Sequence, residues 1–552
     1  MDSYAQTQTE YDIDHDIEEF SAMGHESKGR KNQTLTVTEY DSDSADGDIP
    51  SLKDTDEKIR SDDDHLTDPN NRTAPWYGRV DIDTQRRAKG EDFKSVLSRL
   101  DRTLNLTHFT PAHTTSSHTA RSDTTQIESQ KDVKDQLVLK VQSGFVTSIA
   151  KTFTGVLSGV KTTGYRNKNK FTFGYGFSAL NRVGVDNSHL KLGFIGGEHP
   201  ETFICDVTEA CTINDTFKFI AKEIESVVKQ SSIKPFLQPP RSRKNRVSKE
   251  VLKSIPKHRG VWKYLFVRHS VHEDVYVVTL YSFVRNVDDS NRDDYNKTLK
   301  GIEVLLRDMK FVRSFNLVEF SETLEPKPTE SVINIFAKDG CRDITEKIMD
   351  NVFTVSPDSF FQVNTETTEI MYQAVKRLLT SLIEQSSKSG ETSVHKRTVL
   401  LDLYCGTGTI GLCVMDDKID HIVGVDVVRS CIDDANVNAR LNDVTNFTYI
   451  TGKCEDPATL QTLKKVTDGD SRLFMIVDPA REGLHKKVRK FIKSFKFDGF
   501  IYCSCNVKTW ETDLTDIASD VPLRPVETTI VDMFPHTQHY EVVSAFVIDD
   551  KS

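Results

Sequence analysis

No cysteine precedes Cys205, and only nine occur in the 552 residues. That scarcity excludes the disulfide framework of a small secreted protein and points to a reducing compartment. No stretch approaches the ~18 consecutive apolar residues of a membrane span, so no membrane partner is expected. The opening residues, MDSYAQTQTEYDIDHD, lack the basic and apolar regions of a secretory signal. They are acidic where a mitochondrial presequence is Arg-rich, so cytoplasmic and/or nuclear residence is expected. Positive charge is also sparse at the start: residues 1–68 hold 20 acidic side chains against 6 Lys or Arg, a net of −14. The overall net charge of −11 therefore conceals about +3 on the remainder, and it does not exclude a nucleic-acid partner.

The first 130 residues are rich in Ser, Thr, Asp and His and poor in apolar clusters. Such a segment buries too little surface to offset its ordering entropy, so 1–130 is expected to be a disordered acidic tail. Within it, Ala88 to Leu104 places Phe93, Val96, Leu97 and Leu100 on one helical face, as a docking segment or a fluctuating one. Residues 131–355 read as a mixed α+β domain, with short strands at Leu190 to Gly197, Thr202 to Val207 and Val275 to Val284. The stretch Lys229 to Lys263 carries eleven Lys or Arg against one Glu and ends near Trp262. It reads as a phosphate-contacting surface; a merely solvated loop is the alternative.

Residues 356–552 alternate apolar runs with helical patterns, the signature of an open α/β sheet. The run Val399 to Tyr404 turns into a glycine loop (Gly406, Gly408, Gly411), and the next run, His421 to Val425, ends in Asp426. A strand, a glycine turn and a carboxylate at that distance suit an adenosine-containing ligand, with Asp426 on the ribose hydroxyls. The loop lacks the GK[ST] lysine of a triphosphate site, so S-adenosylmethionine is favoured over ATP. Later strands end at Asp478 and at Cys505, and Val526 to Val531 with Val542 to Ile548 are expected to close the sheet as an antiparallel edge pair. Ligands of such sheets bind beyond the carboxyl ends of the strands, so Tyr404, Asp426, Asp478, Cys505 and the loop before Val542 should share one crevice. Cys503 and Cys505 are expected to face apart and so not to chelate one metal, with Cys503 packed and Cys505 exposed beside Asn506. A nucleophile then lies beside a methyl donor, with the Glu541 carboxylate near enough to take a proton. Gln362, in FFQVNT, offers both donors and an acceptor to a uracil edge or to methionine, or else satisfies backbone groups.

These stretches closely resemble the RNA uridine-C5 methyltransferases, in particular their eukaryotic tRNA (uracil-5-)-methyltransferase branch. The matching pieces are GYRNKNKFTFG (from Gly164), FTVSPDSFFQVNT (from Phe353), LDLYCGTGTIG (from Leu401), DPAREGLH (from Asp478), YCSCN (from Tyr502) and VDMFPHTQHYEVV (from Val531). The resemblance implies a class I, Rossmann-like S-adenosylmethionine-dependent methyltransferase domain behind an RNA-binding domain, acting on tRNA as a monomer. It implies Cys505 as nucleophile, Glu541 as base, and Gln362, Tyr404, Thr409, Asp426 and Asp478 as pocket residues for cofactor and uracil. Two positions depart from the family pattern, Ala480 where DPPR is usual and Val507 where SCNP is usual. Some bacterial relatives hold an iron–sulfur cluster with clustered cysteines; here only Cys205 and Cys211 precede Cys341, so neither cluster nor metal is expected.

The implied chemistry accounts for these residue types. Uracil C5 is a poor nucleophile until a thiolate adds at C6 and makes C5 enolate-like. C5 can then take a methyl group, after which a base removes the C5 proton and elimination frees the thiol. The target nucleotide must first leave its stack. Methylation at position 54 of tRNA is expected, with rRNA as an alternative substrate and a non-catalytic RNA-binding or tRNA-folding protein as an alternative class.

Overall fold

The structure is a computed structural model that describes residues 37–38, 81–107, 148–176, 187–196, 203–208, 210–236, 260–319, 332–357, 359–388, 396–466 and 471–548. Nearly all of the acidic stretch 1–68 and residues 237–259 of the basic stretch, Arg241, Arg243, Lys244 and Arg246 among them, lie outside the described residues.

In chain order the elements are α1 (Ile82–Thr107), β1 (Phe153–Leu157), β2 (Lys168–Tyr175), β3 (Leu190–Gly196), β4 (Phe203–Cys205), α2 (Asp215–Lys229), β5 (Trp262–Ser270), β6 (Val275–Ser282) and α3 (Arg292–Asp308). There follow β7 (Val312–Glu319), β8 (Val332–Ala337), β9 (Ile344–Ile348), β10 (Asn351–Val355), α4 (Thr365–Lys388), β11 (Thr398–Leu403), α5 (Thr409–Val414), β12 (His421–Asp426), α6 (Arg429–Leu441) and β13 (Phe447–Thr451). The chain then continues through α7 (Pro457–Val466), β14 (Arg472–Val477), α8 (Lys486–Ser494), β15 (Gly499–Ser504), α9 (Val507–Ala518), β16 (Leu523–Val531) and β17 (Glu541–Ile548).

The central sheet runs β4-β3-β2-β5-β6-β7-β8. Its pairs are antiparallel except β6 with β7, which lie parallel and are joined through α3. Helix α2 begins at Asn214, whose side chain accepts from the Phe217 amide, and it buries Phe217, Ile220, Ala221, Ile224 and Val228, a single face at helical spacing. That face and α3 cover one side of the sheet in a core that includes Trp262, Leu265 and Phe315. A smaller aromatic cluster, Phe236, Tyr264, Tyr281 and Phe283, occupies the other side.

The catalytic sheet runs β1-β16-β17-β15-β14-β11-β12-β13, with the two-residue strand Val37–Thr38 outside β1. Strands β11 to β15 pair in parallel, and β17 runs antiparallel to β15 and β16. Every residue of β11 is buried, as expected of a parallel strand covered on both faces. The hairpin β9-β10 adds Ile344, Ile348, Phe353 and Val355 to the same core as α4.

Three boundaries differ from those expected. The last two strands are not an edge pair, because β1 pairs in parallel with β16. β1 thus belongs to the catalytic sheet, although it lies within 131–355. Nor is the whole of 1–130 a tail: α1 buries Phe93, Val96, Leu97 and Leu100 against the catalytic domain, with Phe93 5.5 Å from Trp510 and 5.5 Å from Phe153. Each such side chain stabilises the docked helix by roughly 1.5–3 kcal/mol. In both cases the partner surface lies hundreds of residues away along the chain, where local composition carries no signal.

Candidate active site

The glycine loop leaves β11 through backbone that few residues adopt. Tyr404 has φ +64 and Gly408 φ +77, and a Cβ at Gly408 would lie 2.6 Å from the Tyr449 hydroxyl. The loop is fastened by carboxylates. Asp426 accepts from the Gly406 amide at 3.0 Å through Oδ2 and from the Val428 amide at 2.8 Å through Oδ1. Asp402, buried within β11, accepts from the Gly411 amide at 3.0 Å, and its Oδ1 meets no partner among the described residues. Burial pushes the Asp402 carboxyl up to about 7.

These residues fit S-adenosylmethionine. Asp426 is held at the end of β12 and half-buried, so its oxygens keep lone pairs for hydroxyl donors. The loop backbone turns without a basic side chain, as a cofactor without phosphates requires. Tyr404 is half-buried, its phenol pushed up by burial and by the nearby Cys454 and Glu455. Thr409 opens α5, and its hydroxyl pairs with that of Tyr372 at 3.1 Å, tying the loop to α4.

Across the crevice, the strand register brings the expected nucleophile and base together. Ser504 of β15 pairs with Val542 of β17, which sets Cys505 opposite Glu541. Cys503 is fully buried in the core, whereas Cys505 is half-buried. Their difference does not come from facing opposite sides of a strand, since residues two apart share a face. It arises because β15 ends at Ser504, so Cys505 already belongs to the turn. Asn506 caps α9 by accepting from the Lys508 amide, and its Nδ2 donates to the Arg481 carbonyl at 2.8 Å. The turn after Asp478 is thereby joined to the turn holding Cys505. Val507 takes the first helical position, where proline is favoured but not required, so its departure from the family pattern leaves the turn intact. Ala480 likewise sits in a closed turn, its carbonyl accepting from the Gly483 amide at 2.8 Å.

The electrostatics of this group are those of crowded acids. Burial pushes Asp478 up to about 7. Burial and then Asp478 push Glu541 up to about 8, against the pull of Arg481. Burial, Glu541 and Asp478 push the Cys505 thiol up to about 12, again opposed by Arg481. Two carboxyls so placed resist ionising together, and either one serves as a proton acceptor near neutral pH.

Gln362 is 9% exposed. Its main chain is clamped from the central domain. Asn167 donates through Nδ2 to the Gln362 carbonyl at 2.9 Å and to the Thr365 hydroxyl at 3.0 Å, and the Asn167 amide donates to the Val363 carbonyl. The stretch GYRNKNK, through Asn167, therefore acts as a brace between the central domain and the segment that carries Gln362. Sequence reasoning also missed Asp513, which accepts from the Leu484 amide and the Tyr502 hydroxyl, each at 2.7 Å, behind the site. A lone acid on an amphipathic helix carries no signal of that role. Among the described residues no group of His, Cys, Asp and Glu is arranged to hold a metal ion, and no helix is long and apolar enough to cross a membrane.

Comparison with known proteins identifies the family. The family model described as tRNA (Uracil-5-)-methyltransferase matches residues 344–547. A putative RNA methyltransferase of Acanthamoeba polyphaga mimivirus is 30% identical over 52% of this chain and 79% of its own length. The chain belongs to the tRNA (uracil-5-)-methyltransferase family. Its members are S-adenosylmethionine-dependent RNA methyltransferases. A Danio rerio protein described as tRNA (uracil-5-)-methyltransferase homolog B is 26% identical over 69% of this chain and 73% of that protein. For an uncharacterized RNA methyltransferase of Staphylococcus aureus the figures are 29%, 61% and 64%, so the chain spans just under two thirds of that relative. Among solved structures, the Pyrococcus abyssi tRNA (uracil-54, C5)-methyltransferase bound to S-adenosyl-L-homocysteine shares the fold. Its TM-score is 0.51 at 18% identity, covering 87% of this chain and 86% of that one.

Proposed function

We propose that this protein methylates C5 of a uridine in tRNA, at position 54, through a covalent bond between Cys505 and C6 of the uracil. The observation that carries the reading is the register that sets Cys505 opposite Glu541, beside Asp478 and across from a glycine loop suited to S-adenosylmethionine. The Cys505 thiol gives its proton to Asp478, whose carboxyl is raised towards neutral pH, as sulfur bonds to C6. The protonated Asp478 and the Gln362 amide then donate to the uracil edge, where charge develops on O4. Bound S-adenosylmethionine supplies the electrophilic methyl group that C5 accepts. Glu541 next takes the C5 proton. The electrons of that C–H bond re-form the C5–C6 double bond, and the S–C6 bond breaks to release Cys505. Exposed Arg481 at the rim holds a phosphate of the turned-out nucleotide, and the basic stretch of the central domain holds the rest of the RNA.

The test is incubation with tRNA in which uridine is replaced by 5-fluorouridine. Fluorine at C5 blocks proton removal, so a methylated protein–RNA adduct linked through Cys505 is expected. Adduct formation that survives Cys505→Ala, or methyl transfer with no covalent species at all, would overturn the mechanism. A tRNA carrying 5-methyluridine before the reaction should give neither product nor adduct.

A further inference from the structure

Helix α1 contributes more than apolar docking. Gln85, Lys89, Phe93, Val96, Leu97 and Leu100 lie on one buried stripe, but its first turns are polar where the rest is apolar. That polar half meets the nine residues between β16 and β17, the segment that leads into Glu541. Lys89 Nζ lies 2.6 Å from Asp532 Oδ1 with both side chains fully buried, and it donates to the Phe534 carbonyl at 3.2 Å. Arg86 Nε reaches the other Asp532 oxygen at 3.2 Å. The His536 amide donates to Gln85 Oε1 at 3.0 Å, at a residue whose φ is +63. The Tyr540 hydroxyl donates to Asp92 Oδ2 at 2.8 Å, one residue before Glu541. Other ties come from outside α1: Tyr165 donates to the Pro535 carbonyl, Asn364 to the Met533 carbonyl, and the Asp532 amide to the Leu157 carbonyl of β1.

A loop that holds a positive φ at a non-glycine residue and a fully buried carboxylate does not keep that shape by its own preferences. Both features are matched by side chains of α1. We propose that α1 is a strap that fixes the Asp532 to Tyr540 loop and that Lys89 is a positioning residue for the base Glu541. The proposal rests on the reading of Glu541 as base. Proton removal from C5 is the step that needs Glu541 in one place. Methyl transfer and RNA binding depend on other elements. Loosening the strap therefore slows release of the methylated adduct and leaves its formation largely intact.

The experiment uses the full chain and two readouts, one independent of the reaction. In Lys89→Met, hydrogen exchange at residues 532–541 should quicken roughly tenfold or more while strand amides 542–548 hold their protection. In the same variant kcat should fall roughly tenfold or more with KM for tRNA within about twofold, and methylated adduct should accumulate on ordinary tRNA. Lys89→Met/Asp532→Asn removes a buried carboxylate that Lys89→Met leaves with Arg86 alone, and should recover melting temperature without recovering kcat. Should Lys89→Met fail to fold, Gln85→Ala removes the two bonds to His536 and Tyr540→Phe the one to Asp92, neither burying a lone charge, and both variants should show both effects in milder form. Unchanged exchange at 532–541, or acceleration spread evenly over the catalytic sheet with the rate falling only as folded protein is lost, would overturn the strap. If the wild-type chain forms no adduct with 5-fluorouridine tRNA, the reading of Glu541 as base fails while the exchange result still decides whether α1 orders the loop.

Discussion

The two sheets of this protein treat charge in opposite ways. In the catalytic sheet, carboxylates gather at one end: Asp402, Asp478 and Glu541 are raised by burial to about 7, about 7 and about 8. In the central sheet the charges on the face away from the helices are lysines laid over rings, with Lys170 Nζ 3.8 Å from the Tyr264 centroid and Lys263 Nζ 4.7 Å from it. Acids forced together hold protons and can exchange them with a substrate. In the function proposed above, an exposed cation over an aromatic ring, such as Lys170 over Tyr264, suits a polyanion whose bases can stack. In that function one sheet moves protons and the other holds RNA, and Asn167, which donates to the Gln362 carbonyl, ties one to the other.

The largest expected effect lies wholly on the catalytic side. Cys505→Ala should lower turnover by roughly a thousandfold or more while cofactor affinity, read by calorimetry, stays near wild type. Cys503→Ala, two residues away but fully buried, should instead cost about 1–2 kcal/mol of stability in denaturant titration and leave the rate largely intact. Equal loss of rate in both variants would erase the distinction between the packed and the reacting thiol.

Glu541→Gln should lower turnover by roughly 10²–10⁴-fold, and a methylated adduct should accumulate, visible as a slow band on a denaturing gel. Loss of methyl transfer itself would move the base role to Asp478 or to water. Next in size is Gly408→Ala. Its side chain would meet the Tyr449 hydroxyl at 2.6 Å on backbone with φ +77, so cofactor affinity should fall roughly 10–100-fold with tRNA affinity unchanged.

The pH response sharpens the comparison further. Glu541 works as a base only when ionised, and it is raised to about 8, so kcat should climb with pH through about 8. Stability should move the other way. Between the usual carboxylate range near pH ~4 and about 8, the folded chain holds protons on Asp402, Asp478 and Glu541 that the unfolded chain has lost, so stability falls as pH rises through this window. Melting curves from pH 5 to pH 8.5 beside single-turnover rates would show the two trends crossing; parallel trends would mean the acids are not raised. The smallest effect on turnover belongs to the RNA-holding side. Neutralising Arg241, Arg243, Lys244 and Arg246 should raise KM several-fold with kcat nearly unchanged, and should reduce the salt dependence of tRNA binding by roughly one unit of slope for each phosphate no longer neutralised.

How much was legible beforehand follows from the range of the forces involved. The β11 glycine loop, Asp426, Asp478, Cys505 and the strands from Phe447 onward could be read because each is a local pattern: an apolar run, a turn residue, a polar group at a strand end. Part of the central sheet was not read. Strands β5, β7 and β8 and helices α2 and α3 went unread although α2 carries a local apolar face, and the pairing of the strands is settled by partners far along the chain. Cys503 and Cys505 show the limit most clearly, since their separation depends on a strand ending at Ser504 and not on alternation.

The sequence by itself determined the chemistry: which thiol, which carboxylates and which glycines are present, and the local turns that set them at strand ends. Only the tertiary structure decided that Cys505 lies opposite Glu541, that β1 extends the catalytic sheet, and that a helix near the start of the chain lays Lys89 against Asp532. The reason is physical. Turn and strand preferences act over a few residues, whereas strand register and the pairing of a buried charge are selected by the fit of surfaces that meet only after the chain has folded.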